Sequence, residues 1–288
     1  MIKLKAPAKI NWSLYVMDKR EDGYHNIISL MQCVGLYDTL TFEHSSSIEL
    51  NSDMRVSMRD NLVFRAAVAL QHATGTNKGA AISLIKKIPS GAGLGGGSSD
   101  AAAALKGLNE LWELGLDNKQ LAEIGLSLGS DVPFFFISSA AIATGRGEIL
   151  FPERISASRS LLLVKPEASI PTAWAYQAVA GTRTSDKTIS DLTNRTEKLN
   201  NIKPIVRTLS DGPVSLLGPL LQNDFERVAI ERHPVIGAIK ARMLGTGALA
   251  AMLSGSGSAL FGLFASRDDA LKASDSFSSY WHRVVDTL

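Results

Sequence analysis

Hydrophobic and polar positions alternate along residues 5–16, with Ile10, Trp12, Leu14 and Val16 on one side and Lys9, Asn11 and Ser13 on the other. A period of two predicts a half-buried strand whose polar face meets water. The charged stretch Asp18 to Gly23 ends in glycine and predicts a turn. Strand patterns recur at Gln32–Glu43, Ser47–Leu50 and Ala81–Ile88. Elsewhere the period lengthens. Leu62, Val63, Ala66 and Leu70 follow helical spacing behind Asp60 as N-cap. Leu105, Leu108 and Trp112 form the buried stripe of a second helix, N-capped by Ser98 or Ser99. A third helix spans about 118–128 and closes at Gly129, before a tight connection into an apolar FFFIS segment.

Past Pro152, Leu161–Val164 predicts a buried strand, and 181–211 is polar with helices only faintly patterned. Ala248–Leu253 and Ala259–Phe264 predict two apolar strands joined by SGSGS, and Asp268–Tyr280 a last helix. The mixture is of the α+β class, in two domains, 1–155 and 156–288.

Composition narrows this little. A chain of 288 residues, 45% hydrophobic and 20% charged, is neither disordered nor fibrous. A formal charge of +2, without basic blocks, argues against a nucleic-acid partner. The single cysteine, Cys33, cannot form an internal disulfide and fits a reducing compartment. The first residues lack a continuous apolar signal segment, and 132–143 is too short and serine-interrupted to cross a bilayer. A cytoplasmic protein without a membrane partner is expected, and the surface pattern leaves its oligomeric state open.

Residues 91–97 hold five glycines in seven positions, between a strand pattern and a helix pattern. Bare backbone lets N–H groups converge on one point, and a helix N-terminus adds partial positive charge, so the arrangement predicts a phosphate site. Gly91, Gly93 and Gly96 satisfy G-x-G-x-x-G, but the second strand and acidic residue of a dinucleotide fold do not follow. No Lys-Ser/Thr pair completes a Walker A loop, and H-R-D, D-F-G and G-x-S-x-G are absent. Lys9 reads as a solvent-facing strand lysine, which pattern alone favours, or as a cation for a phosphoryl group. Asp131 is a turn residue or a reactive carboxylate. Tyr24 and His25 pack beside a turn or offer an aromatic face and a hydrogen-bonding ring. His44, His72, His233 and His282 have no metal-ligand spacing. Residue pattern reaches as far as a phosphate-binding enzyme of kinase type.

Three stretches in order, APAKINWSL (6–14), IPSGAGLGGGSSDAAAAL (88–105) and MLSGSGSALFGLF (252–264), resemble the GHMP family of small-molecule kinases. The resemblance implies an S5-like N-terminal domain and a ferredoxin-like C-terminal domain, with the active site in the cleft between them. PAKINWSLYVMDKREDGYHNI, DNLVFRAA and LGSDVPFFF are similar to one branch of that family. That branch moves the ATP γ-phosphoryl group to the C2 hydroxyl of a cytidine-diphosphate-linked methylerythritol, in isoprenoid synthesis. Asp131 would then be base or orienter for the hydroxyl, while Lys9 would hold Asp131 charged and neutralise the moving phosphoryl group. Pro89, Ser90, Gly91, Ala92, Gly93, Leu94, Gly95, Gly96, Gly97, Ser98 and Ser99 would wrap the ATP phosphates, with Asn61 and Lys86 at the adenine end. Asn11 would bind beside Lys9. Cytosine would stack between Tyr24 and Tyr176, next to His25, and Thr172 would touch the substrate. Mg2+ is implied with ATP, its protein ligands unspecified. A kinase for another small alcohol, of mevalonate or homoserine type, and a non-catalytic nucleotide-binding module are the alternatives.

Overall fold

The computed structural model describes residues 1–52, 57–181 and 190–288. In it the alternating segment is part of a longer strand, β1 (Ile2–Lys19), followed across the expected turn by β2 (His25–Ser45). The chain packs as two compact units: residues 1–8, 36–90 and 95–138 form the first, and 9–35, 91–94 and 139–288 the second. β1, β2 and the glycine stretch each contribute to both.

In the first unit come β3 (Ile48–Ser52), α1 (Leu62–Thr74), β4 (Gly79–Ile85), α2 (Gly96–Leu111), α3 (Asn118–Leu126) and α4 (Phe134–Ile137). β4 runs antiparallel to Thr39–Ser45 of β2 and parallel to β3. Val63, Ala66 and Leu70 of the predicted α1 stripe and Leu105, Leu108 and Trp112 of the next are buried with Leu40, Phe42, Ile82 and Leu84 in one core, against which Leu62 is partly buried. Small residues let these layers close: the Phe42 ring lies where a Cβ on Gly107 would stand. Asn61, and not Asp60, caps α1, its Oδ1 accepting the Val63 N–H at 2.9 Å. Such a cap is worth about 1 kcal/mol. β4 ends at Ile85, short of the expected Ile88, because the N–H groups of Lys87 and Ile88 donate to Asp38 Oδ1 at 2.5 and 2.8 Å. The FFFIS segment folds as α4, a single helical turn.

In the second unit, β5 (Ala140–Thr144) pairs with Ser29–Gln32 of β2, and β6 (Ile149–Pro152) pairs with β5. Then follow β7 (Ser160–Lys165), α5 (Thr172–Gly181), α6 (Ser190–Ser210), α7 (Asp224–Arg232) and α8 (Pro234–Gly245). β8 (Ala250–Leu253), β9 (Leu260–Phe264), α9 (Arg267–Ser274) and β10 (Trp281–Asp286) complete it. The antiparallel order β10-β7-β9-β8 is that of the expected ferredoxin-like sheet. The last helix stops at Ser274, short of the expected Tyr280, and the chain returns as β10, a strand beyond the expected helix that no pattern announced, to pair with β7. The polar region 181–211 contributes α6, and its residues 182–189 lie outside the described residues. Among the described residues no helix is long and apolar enough to cross a membrane.

One expectation fails on β1. Its polar face is not in water: Lys9, Asn11 and Ser13 are 3%, 2% and 0% exposed. Burial at that level demands partners.

Candidate active site

Those partners form a row in the second unit. The Lys9 ammonium donates to Asn11 Oδ1 at 2.7 Å, the Asn11 amide to Ser29 Oγ at 2.7 Å, and the Ser29 hydroxyl to the Ser13 carbonyl at 2.6 Å. Lys9 is thus a buried, oriented cation, not the solvent-facing lysine that pattern favours. Its own backbone N–H donates to the Leu94 carbonyl at 2.9 Å, which lays the first half of the glycine stretch along β1. The turn between β8 and β9 holds the same segment: Ser254 Oγ donates to the Gly93 carbonyl at 3.0 Å, and the Ala259 N–H to the Ala92 carbonyl at 3.1 Å. The three sequence stretches of the resemblance therefore meet here. Gly93 sits at φ +75°, and a Cβ there would overlap the Ser254 carbonyl oxygen.

The second half of the stretch opens α2 in the first unit. Gly95 is the N-cap, at φ +69°, and brings no side chain, whereas Ser98 and Ser99 lie inside the first turn instead of capping it. The first N–H groups of a helix have no intrahelical partner, so a glycine cap leaves them pointing outward. Ser99 Oγ is buried there without a hydrogen-bond partner. An orphaned hydroxyl beside outward-pointing amides fits a phosphate group. The Asp131 turn lies alongside: a Cβ on Gly129 would stand 4.0 Å from Ser98 Oγ. Beneath it Gly125 leaves room for Val132, which is fully buried and anchors the turn between α3 and α4. Asp131 is half-buried on that turn.

Lys86 is also in the first unit, between two carboxylates. Its ammonium donates to Asp100 Oδ2 at 2.6 Å and makes a short contact with Asp38 Oδ2. Burial pushes the Asp100 carboxyl up; the Lys86 ammonium opposes this and the Asp38 carboxylate adds to it, leaving Asp100 near 7. Asp38 and Asp100 escaped the sequence reading. Their signal was a charge inside an apolar strand pattern and another beside the alanine run of a buried helix. Asn61, expected nearby, has its Oδ1 engaged in the α1 cap.

In the second unit, α5 brings Tyr176 onto His25, with ring centroids 5.2 Å apart and planes 12° from parallel. Phe225 closes the other side edge-on at 4.9 Å. Thr172, at the start of α5, lies 3.0 Å from Ser256 Oγ. Tyr24 is exposed, and the Arg146 guanidinium stands 4.8 Å from its ring centroid. Arg146 is a further residue that pattern did not single out. Among the described residues no group of three or more His, Cys, Asp or Glu side chains could hold a metal ion.

Two family models match the chain, "GHMP kinases N terminal domain" over residues 61–142 and "GHMP kinases C terminal" over 205–283. The 4-diphosphocytidyl-2-C-methyl-D-erythritol kinase of Thermodesulfovibrio yellowstonii is 50% identical over 100% of this chain and 98% of its own length. The protein of the same name from Geobacter metallireducens is 42% identical over 99% and 97%. A crystal structure of 4-(cytidine 5'-diphospho)-2C-methyl-D-erythritol kinase superposes with a TM-score of 0.82 at 34% identity, covering 99% of both chains. A homoserine kinase from Cytophaga hutchinsonii, at TM-score 0.75 and 20% identity over 100% of this chain and 94% of its own, shares the fold.

Proposed function

The chain belongs to the GHMP kinase family, and from that premise we propose that it phosphorylates 4-(cytidine 5'-diphospho)-2-C-methyl-D-erythritol. The γ-phosphoryl group of ATP passes to the C2 hydroxyl, giving the 2-phosphate and ADP in the methylerythritol phosphate route to isoprenoids. The observation that carries this reading is the 50% identity, end to end, to a kinase named for that substrate.

In the reaction the C2 oxygen attacks the γ-phosphorus as the bond to the β,γ-bridging oxygen breaks, and the hydroxyl proton passes to Asp131. A tertiary alcohol is a weak nucleophile, so alignment and relief of that proton are the work the site has to do. Lys9, oriented by Asn11 and Ser29, would neutralise charge on the moving group. Residues 89–99 would close their amides around the phosphates, with Lys86 and the remaining polar atoms of Asn61 toward the adenine. His25 and Tyr176, already stacked, would form with Tyr24 and Thr172 the end that receives the cytidine. Magnesium would arrive on the nucleotide, with phosphate and water oxygens supplying most of its shell. The two family models fall on either side of residue 155, which supports 1–155 as the ATP-binding half and 156–288 as its partner.

ADP release with Mg-ATP, measured with and without the cytidine-linked acceptor, tests the reading. Release that depends on the acceptor is expected. Nucleotide binding without acceptor-dependent turnover would leave a phosphate site and overturn the substrate.

A further inference from the structure

The trio of Asp38, Lys86 and Asp100 is expensive to bury. Asp38 is fully buried and Asp100 is 2% exposed, while one of the Asp100 oxygens has no hydrogen-bond partner at all. Two carboxyl groups around one ammonium in such surroundings lose more hydration than the ion pairs restore, and apolar side chains of similar volume would hold a core as well. Stability alone does not account for them.

Their placement does. Asp38 reaches from β2 to take the N–H groups of Lys87 and Ile88, which lead into the glycine stretch. Asp100 lies in α2, which leads out of it. Lys86 joins the two, and its ammonium lies 3.3 Å from where a Cβ on Gly96 would stand, at the first residue of α2. Both stems of the stretch, 86–90 and 95–100, belong to the first unit.

We propose that Asp100, together with Asp38, is a positioning residue of the nucleotide site: the two carboxyl groups fix the Lys86 ammonium against Gly96 and lock the entering and leaving stems of the phosphate loop to each other. The proposal rests on the reading of residues 86–99 as the ATP site. A loop whose stems are fixed presents its amides without reordering at each binding event, which is how preorganisation raises affinity. The charged groups that act on Asp100 are Lys86, from the end of β4, and Asp38, from β2. Loss of the Asp100 proton therefore adds one negative charge close to the first turn of α2, where the polyphosphate binds.

The test uses the whole chain and magnesium adenylyl imidodiphosphate, a non-hydrolysable ATP analogue, titrated by calorimetry at pH 6.0, 7.0 and 8.5. Wild type should weaken several-fold from the lowest pH to the highest. Asp100→Asn keeps an acceptor for Lys86 but cannot ionise, so its profile should be flatter by that factor. The analogue's own phosphate titration is common to both proteins and cancels in the comparison. Asp100→Ala, which removes one of the two carboxyl groups that hold Lys86 and leaves it to Asp38, should raise the Kd and the KM for ATP roughly tenfold, the scale of one charge-assisted hydrogen bond. Its KM for the acceptor should stay within about threefold, a split that general damage to the fold would not produce. An Asp100→Asn profile parallel to wild type, or an Asp100→Ala variant that binds the analogue normally, overturns the proposal. Should Asp100→Ala fail to fold, the near-isosteric Asn variant still decides. Because binding needs no acceptor, a wrong substrate would show in turnover and leave this comparison intact.

Discussion

Asp131 owes its place to its neighbours: a fully buried Val132 follows it, and Gly125 gives that side chain its room. Asp131→Asn preserves the shape and removes the proposed proton acceptor. It should lower kcat by about 10²–10⁴, the usual range for loss of a general base, while the nucleotide analogue binds as before. Single-turnover assays beside analogue titration measure both, and near-normal turnover would remove Asp131 from the chemistry. Asp100 carries a separate expectation for stability. Its carboxyl lies near 7 in the folded chain against 3.8 ordinarily, so between those pH values the folded chain keeps a proton that the unfolded chain has lost. Stability supplied by that proton is fully present below about pH 4, falls as the pH rises to about 7, and is then level. Asp100→Asn has no such dependence. Its melting temperature minus that of wild type should climb through this window and flatten above it; a constant difference would mean that Asp100 titrates normally.

The glycine loop and its flanks behave as elements, and not all glycines in them are alike. Gly93 and Gly75 share nearly the same backbone angle, φ +75° and +72°, but a Cβ on Gly93 would meet the Ser254 carbonyl whereas one on Gly75 would meet nothing within 4 Å. Gly75→Ala should cost about 1 kcal/mol of stability and leave nucleotide binding unchanged. Gly93→Ala must move backbone on one side or the other, and should cost several-fold more along with most of the nucleotide affinity. Denaturant melts and analogue titration separate the two, and equal behaviour would mean that the close approach at Gly93 does not matter. This pair also marks what the sequence made legible. Glycine content announced a loop, and helical spacing announced α1 and α2, because both are local signals. Alternation in β1 placed Lys9, Asn11 and Ser13 on one face but could not say whether water or protein covers that face. Asp38 and Asp100 lie 48 and 14 positions from Lys86, so only the fold brings the three together. β10 was missed because six residues beside a helix pattern carry too little period to outvote it.

At the scale of the whole molecule the fold does not choose a substrate, since homoserine and mevalonate kinases share it at 20% and 14% identity. The choice would lie with the aromatic end, where base stacking is worth roughly 1–3 kcal/mol. Cytidine diphosphate should therefore compete with the acceptor and not with ATP, and neither mevalonate nor homoserine should stimulate ADP release. Competition against ATP alone would place the pyrimidine in the wrong site. The glycine cap of α2 has one more consequence. With the ATP phosphates at the outward-pointing amides of its first turn, as proposed, the ligand would close a helix that brings no side chain of its own, and the folded state would be partly made of nucleotide. Binding to the folded chain alone stabilises it by RT ln(1 + [L]/Kd). A cell rich in ATP would thus hold this enzyme in a longer-lived form than a starved one, and the same loop that serves catalysis would couple the protein's survival against proteases to the energy state around it.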